Sequence, residues 1–155
     1  ITATGGQVVF VLQSDPDLLA RNFTENEYPF WVIADPEQKI YKTKSGIMVR
    51  SKSERSLADF FTERGVAFRY EAKLAINGKV FYPDFMILCD DGRILIWEHF
   101  GLMDKEEYFI SACHKLEQYR RAGYVQHSNL ICTYEEDLRS GAVLEEILLR
   151  YELYS

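Results

Sequence analysis

Long apolar runs are missing from this sequence. No stretch approaches the roughly 18–20 residues that a membrane-crossing helix needs, so no membrane association is expected. Cysteine is scarce: Cys89, Cys113 and Cys132 are an odd number, widely spaced and set among apolar or helical neighbours. That argues against a disulfide framework and a zinc knuckle, and each reads as a small buried hydrophobe in a reducing, cytoplasmic setting. The first residues lack both a starting Met and a signal-peptide pattern, and read as the processed, tagged or excised terminus of a longer protein. An excess of positive charge is missing too. The formal net charge of −6 alone argues against a general nucleic-acid coat protein. Internal repeats and low-complexity segments are absent.

What is present is ordinary for a globular domain: 155 residues, 47% hydrophobic and 27% charged, enough for one real core. The charge is unevenly spread. Lys39, Lys42, Lys44, Arg50, Lys52 and Arg55 lie within 17 residues that hold one acid, Glu54, while acids collect elsewhere, as in Glu135-Glu136-Asp137. Such a strip either follows a phosphate backbone or forms a solvated hairpin. Tyr41, inside it, is the best aromatic candidate for stacking on a base.

Residues 1–48 read as a β-rich appendage: a strand at 7–13, then a hairpin of 29–34 with 39–43 turning at Asp35-Pro36. Residues 49–155 are more regular. Ser51 opens a helix with the S-x-x-E signature, Glu54 sits in its third position, and Gly65 closes it. Residues 66–76 read as a strand, Asn77-Gly78 as a hairpin turn, and 80–88 as the return strand. Asp90-Asp91-Gly92 turns the chain into a strand at 93–100. A helix is expected from Asp104 to Arg121, opened by an Asp104…Glu107 capping box and ended by Gly123. A short buried strand follows at 129–133, then a last helix at 142–151. Three strands in a meander, then a crossover helix to a fourth, predict an α/β fold: an α-β-β-β-α-β core with a mixed four-stranded sheet flanked by helices.

Two acids stand out against this pattern. Glu98 ends Ile94-Leu95-Ile96-Trp97, a strand apolar on both faces and therefore central, where a carboxylate needs an arginine, a proton or a metal to compensate it. Asp84 follows Pro83 in an otherwise apolar strand that should bulge or sit at an edge there. Asp84 lies seven residues before Asp91 and Glu98 seven after, so the hairpin sets the two carboxylates side by side. Such a pair shares a proton, binds a hard cation, or accepts backbone amides at a bulge. Glu54 is explained by its capping box, although the helix it begins feeds the first strand of the sheet. Glu71, with Lys73 and Arg69, belongs either to one polar strand face or to the rim of the carboxylate site.

These residues together resemble the PD-(D/E)xK phosphodiesterase superfamily, the restriction endonuclease-like fold: Glu54 on the first helix, Pro83-Asp84, and strand-borne Glu98. Arg50, Glu54, Tyr70-Glu71, Trp97-Glu98-His99-Phe100-Gly101, Tyr108 and Lys115 are also similar to a group of uncharacterised bacterial proteins of that superfamily. The resemblance covers roughly residues 50–150. It implies hydrolysis of nucleic-acid phosphodiesters, DNA ahead of RNA, with Glu54, Asp84 and Glu98 holding Mg²⁺ or Mn²⁺. It further implies a basic approach through Lys42, Lys44, Arg50, Lys52, Arg55 and Tyr108, and pairing of two copies as a homodimer where both strands are cut.

The pattern departs at one position: Phe100 stands where a lysine is expected. Two replacements offer themselves as catalytic groups. Lys115 lies on the following helix, on a face shared with Tyr108 and Tyr119; otherwise it is a surface lysine. His99 can act as acid or base near neutral pH, although strand alternation points it away from Glu98; otherwise it is a hydrogen-bonded structural histidine. His114 and His127 read as surface residues. Beside an active nuclease stand two other readings, a degenerate nuclease fold that binds nucleic acid or a partner, and a small-molecule or regulatory domain.

Overall fold

The computed structural model describes residues 39–153. The strand expected at 7–13 and the partner expected at 29–34 lie outside the described residues. The chain enters through a small hairpin, β1 (Tyr41–Lys42) and β2 (Met48–Val49), antiparallel around Ser45-Gly46. The strip of cations thus folds forward on itself.

Helix α1 spans Lys52–Glu63. Ser51 is its N-cap, with extended backbone and a hydroxyl accepting from Glu54 N at 3.1 Å, so one orphan amide of the first turn is satisfied. Only half of the expected capping box forms: the Glu54 carboxylate reaches Arg50 N, not the cap residue's own amide. Replacing Ser51 by alanine should cost about 1 kcal/mol, seen as a lower urea midpoint with an unchanged slope. Leu57, Ala58, Phe60 and Phe61 form the buried stripe, and Gly65 at φ +70° ends the helix.

The two long strands expected next are each broken. Residues 66–76 divide into β3 (Ala67–Tyr70) and β4 (Leu74–Ile76), with Glu71 between them at φ +49°. The return strand divides into β5 (Lys79–Phe81) and β6 (Phe85–Leu88) around Pro83, which has no amide to give a ladder. β4 and β5 pair as a separate hairpin through Asn77-Gly78, both at positive φ. The main sheet runs β3-β6-β7-β8, where β7 is Ile94–Phe100 and β8 is Leu130–Tyr134. β3–β6 and β6–β7 are antiparallel and β7–β8 is parallel, so this is an α/β fold on a mixed four-stranded sheet.

Among the described residues three α-helices flank it. Helix α2 is Glu106–Arg121 and α3 is Gly141–Arg150. The Asp104 capping box does not form: α2 begins two residues later behind Lys105, with no side-chain cap, and acids Glu106 and Glu107 in its first turn suit the helix dipole. Alternation along β7 sorts the two cores. Leu95 and Trp97 pack with Phe61, Phe85 and Ile131 against α1 and α3. Ile96 faces Tyr119 of α2, Leu130 and Phe81 of the small hairpin. Of the cysteines, Cys89 and Cys132 are half-buried, but Cys113, on α2, is exposed rather than buried. His114 and His127 are exposed as expected.

Candidate active site

The β6–β7 ladder ends at Phe85↔Trp97. Its next rung would join Asp84 to Glu98, as counting outward from Asp91 predicts. Side chains take over there. Asp84 N donates to Glu98 Oε2 at 3.1 Å, and His99 N donates to Asp84 Oδ2 at 2.9 Å. Each strand's carboxylate therefore holds the other strand's amide. The expected amide-accepting role is real, and it locks the two acids together at the point where Pro83 interrupts the ladder.

Glu98 is 1% exposed. The charge set beside it in the fold is a lysine's. Lys115 Nζ donates to Oε1 at 2.7 Å, and the Tyr119 hydroxyl donates to Oε2 at 2.7 Å. Both come from the inner face of α2, together with Tyr108, whose hydroxyl accepts from Gly101 N at 3.2 Å. Burial opposes the Lys115 charge, but Glu98 and Asp84 outweigh it and hold the ammonium above its ordinary range. Asp84 is raised too, which for a carboxyl favours the neutral form: burial first, then the charge of Glu98, push it well above the usual carboxylate range. Phe100, on the same strand face, is buried against Tyr108 and Tyr134, and the charge beside Glu98 comes from Lys115 on the helix.

Glu54 is held separately. Its Oε1 accepts from the Tyr70 hydroxyl at 2.7 Å and from Arg50 N at 3.1 Å, and burial pushes its carboxyl upward. Glu71 is neither a polar strand-face residue nor solvated: it is 8% exposed and grips Arg50 through both oxygens at 2.7 and 3.1 Å, with Lys39 at 3.2 Å. Burial disfavours its charge, but Arg50 and Lys39 prevail and hold it below the usual carboxylate range. Glu71 N donates to Asp84 O at 3.0 Å, which sets this ion cluster beside the carboxylate pair.

The cationic strip is thereby divided. Arg50 and Lys39 are committed to Glu71, Lys44 pairs with Glu63, and Arg55 lies 5.3 Å over the Tyr41 ring. Lys42 and Lys52 are exposed. Tyr41 is covered by Arg55 on one face and so offers a base less surface than its sequence position suggests.

His99 projects from the opposite face of β7 from Glu98, as alternation requires. Its side chain is 3% exposed, with Nδ1 at 3.0 Å from Thr133 Oγ1 and Nε2 at 2.9 Å from Glu135 Oε2. Thr133 also accepts from Trp97 Nε1, and Glu135 from Ser53. The His99 ring is therefore not brought into the Asp84/Glu98 site; its backbone amide is. Thr133, Glu135 and Ser53 carried no sequence signal for this cluster, and Glu135 read only as part of an acidic run.

Chemically, Asp84 and Glu98 suit a hard divalent cation. They are adjacent oxygen donors, and the burial and the Glu98 charge that together hold Asp84 toward its neutral form are offset by a bound cation. Among the described residues no group of three or more His, Cys, Asp or Glu side chains is arranged to hold a metal ion, and Glu54 is engaged by the Tyr70 hydroxyl and Arg50 N.

No family profile matches the chain, and no solved structure matches it. An uncharacterised protein of Methanocaldococcus jannaschii is 31% identical over 87 residues, 56% of this chain. The chain spans about 7% of that protein's length. No helix among the described residues is long and apolar enough to cross a membrane.

Proposed function

We propose that this chain is a metal-dependent nuclease of the PD-(D/E)xK type, built on the restriction endonuclease-like variant of the α/β fold. One observation carries the reading: Asp84 and Glu98, crossed over the broken β6–β7 ladder, share a buried site with the Lys115 ammonium. Asp84 and Glu98 would hold Mg²⁺ or Mn²⁺, with Glu54 beside them. When bound, the ion supplies Lewis acidity that activates water and neutralises charge on the phosphoryl oxygens. The protein's own groups do the rest. Tyr119 and the Asp84 amide fix Glu98, and the His99 amide fixes Asp84. Lys115 sets a positive charge where an oxyanion develops, in place of the strand lysine. Lys42 and Lys52 are the exposed cations left to meet the backbone of DNA, ahead of RNA, and cleavage of both strands would call for two copies.

Wild-type protein with Mn²⁺ is expected to nick plasmid or branched DNA, with EDTA and Glu98→Ala each abolishing the activity. Buried Phe100 in the lysine position favours a second reading, a nuclease fold retained for nucleic-acid binding. Binding without cleavage, with affinity falling steeply as salt rises, would select that reading over the first.

A further inference from the structure

We propose that the His99 ring is a positioning residue: from the far face of β7 it fastens the strand end whose amide holds Asp84, and through Glu135 it fastens the α1 turn that carries Glu54. The role rests on the reading of Asp84 and Glu98 as the working pair, and it assigns the imidazole no contact with reacting atoms.

Hydrogen-bond inventory orients the ring. Trp97 Nε1 can only donate, so Thr133 Oγ1 accepts from it at 2.9 Å. The Glu135 carboxylate can only accept, so Nε2 carries a proton and donates to it, while Nδ1 meets the Thr133 hydroxyl. Glu135 receives a second donor, the Ser53 hydroxyl, at 2.6 and 2.7 Å to its two oxygens. Ser53 is in the first turn of α1, immediately before Glu54. One imidazole thus joins three separate elements at a single end of the sheet: β7, the 3-10 turn Glu135–Leu138 after β8, and α1.

The need for such a fastening follows from the ladder. Beyond Trp97 the β7 backbone has no β6 partner, and residue 99 gives its amide to a side chain. On its other side β7 is held by the parallel pairing His99↔Thr133, and Thr133 is also the residue that holds the ring. Backbone pairing and side-chain bonding converge on one residue, so the ring adds to the β7–β8 pairing in fixing the direction of the 99 amide, and with it the Asp84 carboxylate.

The test uses the whole metal-free chain and reads the residue-99 amide by NMR hydrogen exchange. His99→Ala and Glu135→Ala should speed exchange at residue 99 at least tenfold while Leu95 and Ile96, still within the ladder, stay protected. Glu135→Gln keeps an acceptor for Nε2 and should restore wild-type exchange. With Mn²⁺ and DNA, the two alanine variants should lower kcat with KM unchanged, and Glu135→Gln should again recover. Unchanged exchange at residue 99 in both alanine variants overturns the role. If His99→Ala does not fold, Glu135→Ala decides alone, since that side chain is half exposed. The exchange measurement needs no turnover: a wild type that cleaves nothing sinks the nuclease reading, and exchange still decides the positioning role.

Discussion

Replacing Lys115 by methionine is expected to reduce metal-dependent cleavage about 10²–10³-fold, the usual cost of removing one group that stabilises developing oxyanion charge. Methionine keeps the length of the side chain, so the inner face of α2 stays filled while the charge is lost. Stability should fall as well, by about 3–5 kcal/mol, because Glu98 at 1% exposure would keep Tyr119 and an amide but no cation. Lys115→Arg retains charge with a different shape and should recover stability before it recovers rate. Since Glu98 and Asp84 raise the Lys115 pKa, its stabilising contribution is complete below the ordinary lysine value and is lost as pH rises through the raised one. The difference between wild type and Lys115→Met in urea melts should therefore be constant across neutral pH and shrink only in strong alkali. A Lys115→Met protein that cleaves at the wild-type rate would remove Lys115 from the site.

Asp84→Asn separates function from stability in the opposite sense. Cleavage should drop about 10³-fold, the several kcal/mol that metal-ion catalysis contributes. The folded protein should nevertheless be more stable than wild type at pH 7. The Asp84 carboxyl is raised by burial and by Glu98, so the folded state binds a proton more readily than the unfolded chain. Wild-type stability is then greatest below the unfolded Asp value of about 3.9 and declines as pH rises through the raised folded value. Asparagine removes that decline while its carbonyl oxygen still accepts from His99 N. The stabilisation should vanish as the pH approaches 4, and Mn²⁺ should raise the wild-type Tm but not that of the variant. An Asp84→Asn protein less stable than wild type at pH 7 would show that the ionised carboxylate is already fully compensated.

The position of the carboxylate pair was legible because it depends on short-range facts. A tight turn at Asp90–Gly92 fixes an antiparallel register, and counting outward places Asp84 opposite Glu98. Alternation likewise placed His99 on the far face, and helical spacing put Tyr108, Lys115 and Tyr119 on the inner face of α2. What stayed hidden depends on partners distant in the chain. The break at Glu71 follows from Arg50 and Lys39 drawing its carboxylate inward, and Arg50 lies 21 residues away. Nothing local distinguishes that from a polar strand position. Glu135 meets His99 across 36 residues, through a parallel pairing whose register no hairpin specifies. The start of α2 was misplaced because Asp104 has the chemistry of a cap without the geometry, which Lys105 occupies.

The split of both long strands also has an electrostatic consequence. It sets Glu71 and Asp84 with Glu54 and Glu98, four acids at one end of the sheet, where three cations, Lys39, Arg50 and Lys115, meet them. With every group ionised the cluster carries one uncompensated negative charge. A divalent ion alone would overshoot to positive, and a phosphodiester alone would deepen the deficit, but the two together bring the cluster to neutrality. Ion and substrate should therefore each strengthen the binding of the other, by the reciprocity that any shared equilibrium imposes.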